Sequence, residues 1–385
     1  MDRRSFLLNT GTLALSQLVV GCGSSQEPTL RVQLLSNSIP TQLVSGFRHS
    51  LEQPVKLDFM PVEQLKDLFA ELQSWSLQST AKTNNGQWHL PLPWIKSHPT
   101  SATDLVTLGD YWLGAAIERG LIQPLAPAQM HQWHNLPMPW QQLVRRNTLG
   151  YPDPQGNVWA APYSWGTTVI AYNRDKFKTL GWKPVDWSDL WRTELRGRIS
   201  LLDQAREAIG LTLKKLGQSY NTQSVEKVPN LEKELVALNR QVKFYSSDNY
   251  LQPLILGDTW LAVGWSTDVL LAQKRYQQIE AVVPQSGTAL WANLWVRPKG
   301  SDRPSLGEKW IDYCWQEKVA RQISLLSKAT SPIPVTLDPA DIPTGARNLL
   351  LKQPNFERSE FLLPLPTATL NQYQALWQAM RHSIH

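Results

Sequence analysis

The sequence predicts an α/β protein of two lobes, and three observations carry that reading. The chain has 385 residues, too many for one compact core. Residues 30–77 alternate strand and helix patterns in the order β-α-β-α, which argues for a mainly parallel sheet. A second alternation of the same kind occupies the chain after residue 187. Hydrophobic residues make up 42% and charged residues 18%, the balance of an ordinary globular body.

Residues 1–22 come first. Arg3 and Arg4 form a charged start, and an uncharged, mostly apolar run follows from Phe6 to Val20. That run is short for a membrane span and ends in a small residue, the pattern of an export signal. Val19-Val20-Gly21-Cys22 reads as a lipobox, with Cys22 as the lipidated residue. Arg3-Arg4-Ser5-Phe6-Leu7 resembles a twin-arginine motif, although a general secretory signal also accepts an arginine pair. Residues 23–29 then serve as a flexible tether.

Residues 30–35 alternate as a strand, 41–51 show helical spacing, 55–60 form a second strand and 62–77 an amphipathic helix. Residues 79–103, rich in Pro, Asn, Ser and His, read as an inserted surface loop. Residues 104–109 make the next strand. A helix over 110–120 follows, with Asp110 as a plausible N-cap and Gly120 as its stop. Ligands of open α/β sheets sit beyond the carboxyl ends of strands, which puts Asp110, Tyr111 and Trp112 at a candidate site.

The central stretch is Val158-Trp-Ala-Ala-Pro-Tyr-Ser-Trp-Gly-Thr-Thr-Val-Ile-Ala-Tyr-Asn173. Pro162 keeps it extended, its β-branched and aromatic residues suit a strand, and Gly166 allows a close approach. Trp159, Tyr163 and Trp165 could be plain core, or they could line a cleft between lobes. Beyond it, 187–191 starts a short helix and 197–203 a strand. Residues 204–217 form a helix, with Asp203 as cap and Glu207 near the positive end of the dipole. A helix is expected over 228–242. Segments 244–249 and 260–265 flank a helix at 250–257. Residues 279–283 and 289–296 are strands, 306–327 a single helix, and 368–381 a closing helix.

The composition and motifs exclude much. The net charge of +6 is spread without a block of five basic residues, so no nucleic-acid partner is expected. No phosphate-loop, dinucleotide, zinc-protease or nucleophile-elbow motif occurs. His131 and His134 lie in a Pro- and Trp-rich loop and suggest no metal. Cys314 sits in a helical apolar pattern and reads as core. With Cys22 lipidated it has no disulfide partner. No cofactor is expected, and 18 Trp on an exported chain point to binding rather than catalysis.

The landmarks Asp110-Tyr-Trp112, Ala161-Pro-Tyr-Ser-Trp-Gly-Thr-Thr-Val-Ile-Ala-Tyr-Asn173, Trp187-Ser-Asp-Leu-Trp191, Leu202-Asp-Gln-Ala-Arg-Glu207, Ser247-Asp-Asn249, Gly264-Trp265 and Trp291-Ala-Asn293 occur in order. As a set they resemble the spermidine/putrescine-binding proteins that serve ABC importers, from Leu30 to the C-terminus. The resemblance implies a type II periplasmic-binding fold with a ligand cleft between lobes. Lobe 1 would take residues 30–165 plus 295–332, and lobe 2 residues 166–294 plus 333–385. The chain would cross between lobes near 165–166, 291–295 and 331–335, making the central stretch a hinge strand, with Trp165 near the cleft and Trp159 and Tyr163 packing. The implied site residues are Asp110, Trp112, Trp165, Gln204, Glu207, Ser247, Trp265, Trp291 and Asn293. Aromatic faces and anions suit alkyl-ammonium ligands.

This chain has Gln204 and Asn293 where the family pattern has carboxylates, and Leu35 and Ser38 where it has aromatics. Asp110, Asp248 and Asp268 could supply replacement charge or serve as caps and surface acids. The expected function is a periplasmic, lipid-anchored, monomeric substrate-binding protein of an ABC importer, partnered by permease subunits and binding a polyamine or related amine. A solute sensor or other non-transport binder of the same fold is the alternative.

Overall fold

The computed structural model describes residues 27–84, 103–301, 304–327, 329–342, 346–350 and 356–383. The export signal, Cys22 and most of the 79–103 insertion therefore lie outside the described residues.

The first layer is parallel. Strands β1 (Thr29–Leu35), β2 (Lys56–Val62) and β3 (Leu105–Gly109) pair in the order β2-β1-β3. They are joined by helices α1 (Thr41–Ser50) and α2 (Leu65–Asn84). Helix α2 continues through part of the expected loop, to Asn84. Helix α3 (Asp110–Glu118) follows β3 directly and stops at Gly120, whose φ of 62° is the left-handed turn glycine permits. Then come β4 (Ile122–Gln123), α4 (Met138–Val144), β5 (Arg145–Arg146) and β6 (Asn157–Val158).

The central stretch is a single 13-residue strand, β7 (Ala161–Asn173), with every residue except Thr167 buried. It leads into α5 (Arg174–Leu180), β8 (Ile199–Leu201), α6 (Ala205–Lys215), α7 (Leu231–Asn239) and β9 (Val242–Tyr245). Next are α8 (Leu251–Leu256), β10 (Leu261–Trp265), α9 (Ser266–Gln273), β11 (Ile279–Val282) and β12 (Ala289–Pro298). The chain ends with α10 (Pro304–Cys314), α11 (Glu317–Leu326), α12 (Arg347–Leu350), β13 (Glu360–Phe361) and α13 (Thr367–His382).

The main path of the sheet runs β2-β1-β3-β12-β7-β10-β8-β9. Its two ends are parallel, but β12 runs antiparallel to both β3 and β7, and β7 antiparallel to β10 and β11. The expectation of a mainly parallel sheet is thus corrected to a mixed one. The β-α alternation was legible only within each end, whereas the two long strands in the middle run against their neighbours.

Apolar packing divides at the same place. One core gathers side chains from Leu30 through Trp165 and from Leu290 through Ile333. Two others draw on residues between Val169 and Ala289 and on the C-terminal segment from Leu337 to Met380. Where β7 passes between them, three runs of chain lie side by side. Trp165 faces Ala292 of β12 on one flank. On the other, the Trp165 N–H donates to the Thr330 carbonyl at 2.8 Å, and the Trp165 carbonyl accepts the Thr330 N–H at 2.9 Å.

Three further expectations are corrected. The helix over 306–327 is two helices, because Trp315 is buried with its indole N–H on the Pro162 carbonyl at 2.7 Å, and Gln316 turns extended. The helix over 228–242 ends at Asn239, and Val242 already belongs to β9. Asp203 does not cap α6; Gln204 holds that position without a side-chain bond, and Asp203 pairs with Arg381 at 2.6 Å.

Candidate functional site

The site grows from the alternation of β7. Successive side chains of a strand point to opposite faces, and residues 164, 166 and 168 share one face. Ser164 Oγ accepts the Asn293 side-chain N–H at 3.1 Å. Gly166 lies under Trp291: a Cβ there would collide with Cζ2 of that ring, and with Ser266 Oγ. Thr168 donates its hydroxyl to Glu207 Oε1 at 3.1 Å. Ser164 and Thr168 are four residues apart, about 13 Å along an extended strand. Over that row stand an amide, an aromatic ring and a carboxylate, in that order.

Each member keeps a polar atom without a protein partner. Asn293 Oδ1, Trp291 Nε1 and Glu207 Oε2 are buried and unpaired, and so is Ser247 Oγ. Buried polar groups are nearly always satisfied, so these four atoms single out their residues as candidates for contact with a solute. Unpaired indole N–H groups also occur at Trp182, Trp295 and Trp310. Trp291 is set apart by the free amide oxygen and free carboxylate oxygen beside it.

Glu207 sits in the first turn of α6 and is 4% exposed. Burial pushes its carboxyl up to about 7, against the lowering effects of the Thr168 hydrogen bond and the charge of Arg206, and the charge of Asp110 adds to the rise. Arg206 does not pair with it directly. Its guanidinium donates to the Leu363 carbonyl at 3.1 Å, the Tyr220 carbonyl at 3.4 Å and Asn221 Oδ1 at 2.9 Å.

Asp110 is not the N-cap of α3. Gly109 holds that position, and the Asp110 carboxylate accepts the Ala292 backbone N–H at 2.9 Å. The acid therefore ties α3 to the strand segment between Trp291 and Asn293. Burial pushes it up to about 7, while the Ala292 hydrogen bond and the charge of Arg146 pull the other way. Arg146, itself 1% exposed, donates to the Leu143 carbonyl at 2.7 Å and the Gly150 carbonyl at 3.3 Å.

The remaining aromatics divide. Trp112 is half-buried with one face stacked on Phe69, ring centroids 4.6 Å apart, and Tyr111 beside it is 53% exposed. Trp265 is half-buried, and its backbone N–H donates to the Tyr250 hydroxyl at 3.0 Å, which in turn donates to Asp268 at 2.9 Å. Gln204 is exposed at the start of α6.

Trp165 is turned away from the row. Its indole N–H donates to the Ser331 carbonyl at 3.1 Å, and its ring packs on Trp140 and Phe356. That placement corrects the expectation that it lines the cleft: period two sends residue 165 to the face opposite 164 and 166. Tyr163 lies where the register of β7 against β12 shifts, and it stacks on Trp295 with its hydroxyl bonded to Ser38 and Thr107. Sequence reasoning missed Ser164, Thr168, Tyr250 and Arg146. The first two were legible from the alternation around Gly166; the other two carried no local signal. Among the described residues no cluster of His, Cys, Asp and Glu could hold a metal ion.

Comparison with known proteins places this geometry. The profile of the family described as bacterial extracellular solute-binding protein matches residues 101–356. The chain belongs to that family. Among relatives of this solute-binding protein, the spermidine/putrescine-binding periplasmic protein of Salmonella typhimurium is 25% identical over 320 residues, covering 83% of this chain and 81% of the relative. A putrescine/agmatine-binding protein of Pseudomonas aeruginosa is 30% identical over 238 residues, covering 58% of this chain and 63% of the relative. Among solved structures, the spermidine/putrescine ABC transporter substrate-binding protein PotD of Streptococcus pneumoniae superposes with a TM-score of 0.74 at 18% identity, covering 93% of this chain and 99% of that one. That likeness shows the two-lobed α/β fold expected of the sequence. Membership in this family also agrees with the expectation of a binder and not an enzyme.

Proposed function

We propose that the protein is the substrate-binding component of an ABC importer and captures a polyamine or related small organic amine between its lobes. The observation that carries this reading is the row over β7, where the Trp291 ring stands between a buried carboxylate and a buried amide. An aromatic face attracts an alkyl-ammonium group, and a buried carboxylate with one free oxygen pairs it strongly. The names of the relatives support the ligand class and a periplasmic location. The lobes are residues 30–165 plus 295–332 and 166–294 plus 333–385, a division supported by the change of apolar partners along β7. The three adjacent chain runs at Trp165, Ala292 and Thr330 serve as the hinge. An aromatic-lined cleft formed by Trp112, Trp265 and Trp291 closes on the solute, and Gln204 and Ser247 lie at its rim. Cys22 carries lipid and holds a monomeric protein at the outer face of the inner membrane, and permease subunits are the partners.

Titration with putrescine, spermidine and related amines tests the reading. We expect a saturable change in tryptophan fluorescence together with a rise in melting temperature. If no amine changes either signal in the folded protein, the assignment is wrong.

A further inference from the structure

We propose that the cleft selects a solute with one cationic end and one uncharged, amide-like end, in preference to a diammonium chain. The inference rests on the amine-binding reading above and narrows its ligand class.

The case is an inventory of partners. Three buried or half-buried acids are candidates to receive ammonium groups at the site; Asp248, the other possible replacement charge, is exposed and solvent-screened. Asp110 is tied to the Ala292 backbone N–H and faces the buried charge of Arg146. Asp268 accepts from the Tyr250 hydroxyl at 2.9 Å and the Thr267 hydroxyl at 3.5 Å. Glu207 alone of the three keeps a buried carboxylate oxygen without a partner. One ammonium is therefore served.

The far end of the row asks for something else. Asn293 is 4% exposed, and its Nδ2 is committed to Ser164, which leaves Oδ1 as the free acceptor. Trp291 Nε1 is donor only and is also unpaired. An ammonium can donate to Asn293 Oδ1, but it has no lone pair for the Trp291 N–H and would set one donor against another. A C(=O)–NH unit meets both demands, its carbonyl accepting from Trp291 and its N–H donating to Asn293. Buried groups left unpaired by the wrong analogue are what make such discrimination large. Trp291 and Asn293 are two residues apart on β12, so they present these atoms on one face.

Isothermal titration of the full-length protein in detergent with three probes decides the matter: putrescine, N-acetylputrescine and N,N′-diacetylputrescine. N-acetylputrescine should bind at least about tenfold tighter than either of the others. Asn293→Asp should reverse the order in favour of putrescine. Trp291→Phe, which keeps a ring and removes the N–H, should bring the two amines within about threefold; it serves as the second variant if Asn293→Asp does not fold. Putrescine binding as tightly as N-acetylputrescine to the unaltered protein overturns the inference while leaving the amine site standing. A preference unmoved by both variants overturns it as well. Binding of none of the probes, nor of spermidine, by folded protein overturns the amine reading itself.

Discussion

Glu207 concentrates the chemistry of the site in one side chain. Its carboxyl is pushed from 4.5 to about 7 chiefly by burial. A carboxyl raised in this way binds its proton more tightly in the folded state than in the unfolded one. Its stabilising effect is therefore complete below the unfolded pKa and is lost as pH rises through the folded value. Asp110, raised from 3.8 to about 7, acts in the same direction. The ligand-free protein should accordingly melt at lower temperature at pH 8 than at pH 5. Glu207→Gln should flatten part of that slope, by an amount on the order of 3 kcal/mol in unfolding free energy. An ammonium ligand needs the ionised form, so affinity should weaken toward about tenfold per pH unit as pH falls below about 7. Calorimetric titrations at pH 5, 6, 7 and 8, with and without Glu207→Gln, check both slopes. A ligand affinity that is flat with pH would remove Glu207 from the site. The sequence marked this residue by its place at the start of a helix, but its burial and its hydroxyl partner depend on β7, 39 residues earlier.

At the scale of the element, β7 separates two tasks by residue parity. Trp165 serves the core, packed on Trp140 and Phe356 and bonded to Ser331. Gly166 serves the site, because only the absence of a Cβ leaves room for the Trp291 ring. Opposite outcomes follow for neighbouring substitutions. Trp165→Ala should destabilise the fold by about 3–5 kcal/mol, as removal of a buried Trp side chain does, with little change in affinity at temperatures where the protein stays folded. Gly166→Ala should displace Trp291 and weaken ligand binding at least about tenfold while shifting the melting temperature less. Chemical denaturation and calorimetry on the pair distinguish the two; equal losses of affinity would mean that the faces are not independent. The strand itself was legible from Pro162 and the β-branched run. Its antiparallel pairing was not, since β12 lies more than 100 residues away and its register is a long-range property. Likewise the break between α10 and α11 follows from a tertiary hydrogen bond, Trp315 to Pro162, which no helical periodicity reveals.

At the scale of the molecule, the order of elements and the two-lobed class were readable from alternation and length, and the ordered landmarks made them specific. The parallel ends of the sheet match that reading, while the centre is antiparallel because the long strand β12 runs against both β3 and β7. No helix among the described residues is long and apolar enough to cross a membrane, and the proposed attachment is through Cys22. Lipid chains at that residue would give stable anchoring, whereas the diffuse +6 charge gives only weak, salt-sensitive attraction to anionic surfaces. Cys22→Ala should therefore move the protein from the membrane fraction to the soluble fraction at 0.5 M salt and abolish labelling by a palmitate analogue. Retention of both would refute the lipid anchor.

The parity of β7 also governs which genetic changes the strand tolerates. Substitution at 164, 166 or 168 edits the proposed recognition surface one letter at a time and leaves the packing letter at 165 untouched. Loss or gain of one codon in this interval shifts the whole reading frame of faces. It would turn Trp165 onto the face of the proposed site and Ser164 or Gly166 onto the packing face, erasing specificity and stability together. Homologous binders descended from this chain should therefore diverge in ligand through point changes along β7 while the number of residues from Tyr163 to Thr168 stays constant.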